Sequence, residues 1–310
     1  MEVWNEIVTE LRTWFSYPDV TSLQMLVAVG LAVGFGAVWL AAHWPPLSRQ
    51  RGLWVIGIAS AFLTMGAFAF VRTPLQFYYD RLVNHFMTRA AIGDWLMLLG
   101  IPSIIISGLV LEGAKMVPMV IFWSKRDFRI TPAMGLAIGA VAGAGFGIFD
   151  AFQTFGTVFS NGWTTAAFGQ GFAGIIDFWL RFFSIGFQMA ASAMVGYGLA
   201  RGRGWQYWLV ASGFHALFLY GAYFYAKGYF GLPALGVYVA FVAVILTAVV
   251  LIVRYRLRRD YPGEAAYDPD RYLDEAEEFA GQAVAMEQGE AGESSPEAPP
   301  AADTPEEKPD

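Results

Sequence analysis

The chain has 310 residues, of which 56% are hydrophobic and only 15% are charged. This balance is too apolar for an ordinary water-soluble domain of this length, and it predicts an integral membrane protein. The net charge of −6 is distributed unevenly along the chain. Residues 1–259 hold 18 basic and 10 acidic groups, a net charge of +8. Residues 260–310 hold 2 basic and 16 acidic groups, a net charge of −14. The basic groups form short clusters between apolar runs, a pattern that excludes the basic stripe of a nucleic-acid binder. The absence of cysteine excludes disulfides and thiolate chemistry.

Seven apolar stretches are long enough to cross a bilayer, because about 20 residues at about 1.5 Å each cover about 30 Å of hydrocarbon. The third stretch is long enough to tilt, or to begin with a re-entrant piece before Pro102. We therefore predict an all-α, polytopic membrane protein with its transmembrane bundle over residues 21–259. The stretches cover residues 23–44, 53–71, 94–123, 134–159, 178–200, 205–225 and 232–253.

Two further segments have the spacing of amphipathic helices. In residues 1–20, six apolar side chains fall on one face, which predicts an interfacial helix with its aromatic rings at headgroup depth. The start of the chain lacks the apolar core and cleavage site of a signal peptide, so we expect none. Residues 72–92 are also amphipathic and are predicted to lie along the membrane surface. The six side chains are Trp4, Ile7, Val8, Leu11, Trp14 and Phe15.

The distribution of basic residues predicts the orientation, because Lys and Arg accumulate in cytoplasmic loops. With the N-terminus outside and the C-terminus inside, the inner loops hold 11 basic groups and the outer regions fewer. Three arginines between residues 72 and 92 oppose this assignment. The last span is followed by a basic cluster and then by an acidic cytoplasmic tail over residues 260–310. Its first part could form one short amphipathic helix, and residues 288–310 are too polar to fold.

Five polar side chains interrupt the apolar spans, and each is a functional hypothesis because a charge near the bilayer centre costs about 2.5 to 3.5 kcal/mol. Counting about 1.5 Å per residue from the predicted inner ends places Glu112, Gln188 and His215 at one level, roughly 15 to 18 Å deep. Asp150 lies nearer 27 Å by the same count, at about 1.5 Å per residue. Lys115 lies three residues after Glu112.

Small residues predict close helix packing in the fourth span. Glycine recurs every fourth residue, which forms a stripe that lets another helix approach closely. Asp150 lies beside this stripe and so should face into the bundle, either as part of a site or as a structural carboxylate paired with Lys115. Glu112 with Lys115, and Asp177 with Arg181, could also form structural pairs within their own helices. The stripe consists of Gly135, Gly139, Gly143 and Gly147.

The succession of motifs resembles the PrsW-type intramembrane metalloproteases, distant relatives of the type II CAAX prenyl endopeptidases. The family pattern is EExxK on one helix, Gly-Phe-x-x-x-Glu on the next, a His eight residues before Gly-Tyr, and finally His-x-x-x-Asp. This chain has Glu112 and Lys115 in the first motif, Asp150 four residues after Phe146, Gln188 eight before Gly196-Tyr197, and then His215. The match covers roughly residues 94–220.

The resemblance implies a membrane-embedded hydrolase with Glu112 and Lys115 as catalytic residues and Asp150, His215 and Gln188 as metal ligands. The implied cofactor is a divalent metal, with zinc as the candidate. Four positions depart from the family: Leu111, Asp150, Gln188 and Leu219 replace Glu, Glu, His and Asp. A catalytic zinc uses about three protein ligands and a nearby base. If Asp150, His215 and Glu112 all bind metal, no family carboxylate is left as base. If Glu112 is instead the base that activates the water, only Asp150 and His215 remain as ligands, with the neutral amide of Gln188 as a poor third.

Three functions follow as alternatives. The first is a PrsW-like protease or hydrolase, of reduced activity, that acts on a membrane-embedded protein substrate; the second is a catalytically degenerate relative that serves as a binding or regulatory scaffold. The third is a transporter or lipid-binding protein with a polar cavity, although the paired repeat halves of many transporters are not evident. For the first two alternatives the expected partners are a membrane-embedded protein substrate or partner and the lipid bilayer. Nucleic acid is excluded as a partner.

Overall fold

The fold was analysed in a computed structural model, which describes residues 1–48, 50–125 and 130–260. Every regular element in these ranges is helical. Seven helical runs are long and apolar enough to cross a membrane, which confirms the predicted all-α, polytopic membrane fold. The predicted short helix and polar end of the acidic tail lie outside the described residues.

The helices follow one another along the chain with short connections. A five-residue π-helical turn, Phe68–Arg72, joins α3 to α4, and a 3₁₀ helix, Thr165–Gln170, precedes α8. The α-helices are α1 Glu2–Phe15, α2 Ser22–His43, α3 Arg51–Ala67, α4 Thr73–Phe86, α5 Arg89–Asp94, α6 Leu96–Ser124, α7 Pro132–Ser160, α8 Phe172–Ala200, α9 Gly204–Ala226 and α10 Leu232–Asp260.

Both predicted amphipathic segments are helical, but each differs from the prediction in one respect. Ile7 and Trp14 of α1 are buried against Ala69 and Phe68 of the π-helical turn, so this face of α1 contacts protein. The segment after residue 72 does not start a separate element, since α3, the π-helical turn and α4 form one continuous run from Arg51 to Phe86. A π-helical turn inserts a residue into the helix, and such turns often occur at functional sites.

The third span contains no re-entrant piece. Helix α6 runs unbroken from Leu96 to Ser124, with Pro102 and Pro118 inside it. Proline is tolerated within membrane helices because neighbouring groups satisfy the freed backbone carbonyls. The long apolar stretch is therefore one helix.

Helices α7 and α8 form the centre of the bundle, and the glycine stripe is the reason. A methyl group placed on Gly139 would come within 2.7 Å of the Cα of Ala193, and one on Gly143 within 2.6 Å of the Cα of Met189. Real Cβ atoms do not approach that closely, so the two backbones touch only because the stripe has no side chains. This close packing places Gln188 on α8 directly opposite the stripe.

A second close contact joins α6 to α9. Gly108 faces the backbone of Ser212, whose hydroxyl donates a hydrogen bond to the Gly108 carbonyl at 3.2 Å. The indole of Trp208 donates to the Leu109 carbonyl at 3.1 Å. Glu112 follows Gly108 by four residues and His215 follows Ser212 by three, so each side chain lies on the face of its helix that makes this contact.

Candidate functional site

Four of the five predicted site residues form one buried polar cluster. The Lys115 ammonium donates to Glu112 Oε1 at 2.6 Å and to Gln188 Oε1 at 2.5 Å. His215 Nδ1 lies 2.7 Å from the same Glu112 oxygen. Glu112 and Lys115 are fully buried, and Gln188 and His215 nearly so. Three helices thus contribute to one network, at the shared level that the residue count predicted.

Glu112 is the centre of this network. Its Oε1 accepts from both Lys115 and His215, whereas Oε2 is buried and makes no hydrogen bond to the described residues. An ionised carboxylate can only accept hydrogen bonds, so the contact assigns the His215 proton to Nδ1 and leaves Nε2 as the acceptor. The predicted pair of Glu112 with Lys115 within α6 is confirmed.

Asp150 lies apart from this cluster. Its carboxylate forms an ion pair with Arg181 of α8, and both side chains are about one-third exposed or less, at 27% and 32%. The suggested pairing of Asp150 with Lys115 was therefore wrong. The suggested pair of Asp177 with Arg181 was also wrong, because Asp177 is exposed and no described ion pair joins the two. Arg181 on α8 pairs with a carboxylate on the neighbouring helix α7 rather than with one on its own helix.

A cavity of about 370 Å³ connects the two groups. Its wall includes Asp150, Gln188 and His215, and also Leu111 and Leu219, which replace two acidic residues of the PrsW pattern. Glu112 and Lys115 do not line it; they lie behind Gln188 and His215. These five positions of the family pattern therefore surround one space, with Glu112 and Lys115 directly behind its wall. The cavity volume is in the usual range of small-molecule sites.

Two further polar residues that the sequence patterns did not indicate are Arg72, which lines the cavity, and Gln76, which follows it on α4. Arg72, the last residue of the π-helical turn, donates through Nε to Ser107 at 2.9 Å. Gln76 donates to Ser103 and Ser107, each hydroxyl at 3.0 Å. The signal was available: Arg72 and Gln76, and likewise Ser103 and Ser107, are four residues apart and so share one helix face.

The donor set does not fit a divalent metal as it is arranged. Zinc needs about three protein ligands in one place. The Lys115 ammonium stands between the oxygens of Glu112 and Gln188, and Asp150 is paired with Arg181. No group of three or more His, Asp or Glu side chains that could hold a metal occurs in the described part of the chain. The metal remains a prediction, and no chemical step below depends on it.

Fold and cavity together define a polytopic membrane protein with a polar site inside the helix bundle. No family model, curated protein or solved structure matches this chain. The resemblance to the PrsW-type proteases therefore rests on the motifs themselves.

Proposed function

We propose that this protein is a PrsW-like intramembrane hydrolase of reduced activity that cleaves a membrane-embedded protein substrate. The observation that carries the proposal is the contact of His215 with the buried carboxylate of Glu112 in the wall of the cavity. A histidine oriented in this way by a carboxylate is a suitable general base for water.

The geometry supports a simple sequence of proton transfers. His215 Nε2 takes a proton from a water in the cavity, and the resulting hydroxide attacks the carbonyl carbon of the scissile peptide bond. The imidazolium then returns the proton to the leaving nitrogen as the C–N bond breaks. Glu112 holds the ring through Nδ1 and stabilises its positive charge, and is thus a positioning residue, whereas the resemblance implies that Glu112 is itself catalytic.

Lys115 has a supporting role in this proposal. A buried carboxylate without a counter-charge is costly, and the Lys115 ammonium supplies that charge at 2.6 Å. The side chain also holds Gln188 through its amide oxygen. The cationic Arg72 and Arg181 in the cavity wall could stabilise the developing oxyanion.

The experiment uses the full chain in liposomes with single-span reporter helices tagged at both ends. We expect slow cleavage that is lost in His215→Asn and retained in His85→Asn, a matched change of an exposed histidine. Adding a metal chelator, together with metal analysis of the purified protein, tests the predicted cofactor separately. Cleavage that is unaffected by His215→Asn would contradict the proposal.

A specific observation favours the scaffold as a second candidate. Gln188, Leu111 and Leu219 replace family residues around the cavity, and Gln188 is engaged by Lys115. In this alternative the cavity binds a membrane-embedded partner without cleaving it. The double change Gln188→His with Leu219→Asp would restore the family residue types, and a gain of metal binding would support lost ancestral activity.

The localisation follows from the same proposal. The seven apolar helical runs make the protein multi-pass. We place it in the cell membrane with its N-terminus outside and its C-terminus in the cytoplasm, because basic residues are more frequent in the loops that this orientation puts inside. Labelling of single cysteines introduced at residues 19 and 202 with an impermeant reagent tests it, since the chain has no native cysteine.

A further inference from the structure

Arg72 lies in the wall of the membrane cavity and makes no direct ion pair with the described residues. Its Nε donates to the buried Ser107 hydroxyl, and its guanidinium carbon lies 4.2 Å from the centre of the Phe68 ring. No carboxylate of the described residues lies within ion-pair distance of it, and its two terminal nitrogens donate to none of those residues. Two fixed contacts therefore hold the group in place and leave its outer donors uncommitted.

The other charges around the cavity cancel in pairs. Arg181 is matched by Asp150, and Lys115 by Glu112. Arg72 has no ion-pair partner, and the carboxylates that act on it, Glu10, Asp80 and Asp150, do so from beyond ion-pair distance. A charge without a close partner is costly next to a largely apolar wall. The arrangement is therefore complementary to one negative group.

The other side chains of the cavity wall indicate what kind of molecule carries the negative group. Phe68, Phe146, Phe218, Leu219, Leu235 and Val239 supply apolar surface beside Arg72. A guanidinium has a planar fork of donors that matches carboxylates and phosphates. We propose that Arg72 forms an oxyanion-binding site in this cavity, which takes the phosphate or carboxylate of a single-chain amphiphile while the apolar wall contacts its chain.

A connected set of hydrogen bonds beside Arg72 fixes the polar side chains of the site in place. Ser107 accepts from both Arg72 and Gln76, and its own hydroxyl donates to the Ser103 carbonyl at 2.9 Å. Arg72 is the last residue of the π-helical turn and reaches Ser107 of α6 through its Nε. Arg72 also lies in the wall proposed to stabilise the oxyanion of the hydrolysis, but the test below measures ligand binding, so its result does not depend on any cleavage.

The test measures binding of three probes to the full chain in a neutral detergent. The probes are a lysophosphatidic acid, a monoacylglycerol with the same chain, and inorganic phosphate. We expect the lysophosphatidic acid to bind roughly 10- to 100-fold more tightly than the monoacylglycerol, the ratio given by hydrogen bonds to a charged group. Displacement by inorganic phosphate would show that the oxyanion alone is recognised; no displacement would show that the acyl chain is also required.

Variants then assign the site to Arg72. Arg72→Gln should remove the preference for the anionic probe, Arg72→Lys should keep part of it, and Arg89→Gln, a change of an exposed arginine, should leave it unaltered. If Arg72→Gln fails to fold, the comparison of the anionic and neutral probes on the unaltered chain still tests whether the protein prefers an anionic ligand. Equal binding of those two probes, or an unchanged preference in folded Arg72→Gln, would overturn the proposal.

Discussion

His215 Nδ1 lies 2.7 Å from Glu112 Oε1, although the two residues are 103 positions apart in the chain. The contact depends on the close approach of α6 and α9 at Gly108 and Ser212. It joins a titratable ring in a cavity wall to a carboxylate that is fully buried. Four predictions test the buried charges, the helix packing around them, the ion pair of Arg181 and the buried phenol of Tyr17.

The first concerns the buried charges. Glu112→Gln leaves the Lys115 ammonium buried without a counter-charge, so we expect a loss of about 3 to 5 kcal/mol in the free energy of unfolding. The double variant Glu112→Gln with Lys115→Met removes both charges and should be more stable than the single one. Denaturation in detergent measures both, and a double variant as unstable as the sum of its parts would contradict the coupling.

The second concerns the glycine stripe. Gly143→Ala forces a methyl group against the backbone of α8 at Gln188 and Met189, and such overpacking costs about 1 to 3 kcal/mol. Gly34→Ala is the matched control, since nothing lies within 4 Å of a Cβ at Gly34. Thermal unfolding of the two variants compares them, and equal stabilities would argue against the close contact of α7 and α8.

The third concerns the partner of Arg181. A double-mutant cycle of Arg181→Met with Asp150→Asn should give a coupling of about 1 kcal/mol, the upper range for partly exposed pairs. The same cycle with Asp177→Asn should give a coupling near zero, because Asp177 is exposed and does not pair with Arg181. A coupling of Arg181 with Asp177 and none with Asp150 would instead support the Asp177–Arg181 pair that the sequence suggested.

The fourth concerns Tyr17, in the connection between α1 and α2. Its hydroxyl donates to the Trp14 carbonyl at 2.6 Å, and burial raises the pKa of the Tyr17 phenol to about 12. An unfolded tyrosine ionises near pH 10. The protonated Tyr17 therefore contributes stability that is complete below about pH 10 and is lost between about pH 10 and 12 as the pH rises.

The measurement for Tyr17 compares the unaltered chain with Tyr17→Phe. Phenylalanine cannot ionise, so the variant should lose less stability over this pH window than the unaltered chain. The other 13 of the 14 tyrosines are present in both proteins, so the difference between their stability curves reports Tyr17 alone. Parallel stability curves through pH 10 to 12 would show that Tyr17 is not protected by its burial.

Much of the fold could be predicted from local features of the sequence. Each span is an uninterrupted run of apolar residues, so its position depends only on neighbouring residues in the chain. The glycine stripe has the period of one helix face, so the close contact of α7 was predictable without its partner. The common level of Glu112, Gln188 and His215 followed from the constant rise of a helix.

The pairing of charges could not be predicted in this way. The sequence suggested Asp177 as the partner of Arg181, and only the rotation and register of α7 against α8 select Asp150 instead. Arg72 belonged by sequence to an external segment, but the π-helical turn and the contact with Ser107 place it in the cavity wall. Sequence alone thus determined which helices exist and how deep their polar residues lie. The tertiary structure decided which of those residues meet, because contacts between helices depend on packing that distant parts of the chain set together.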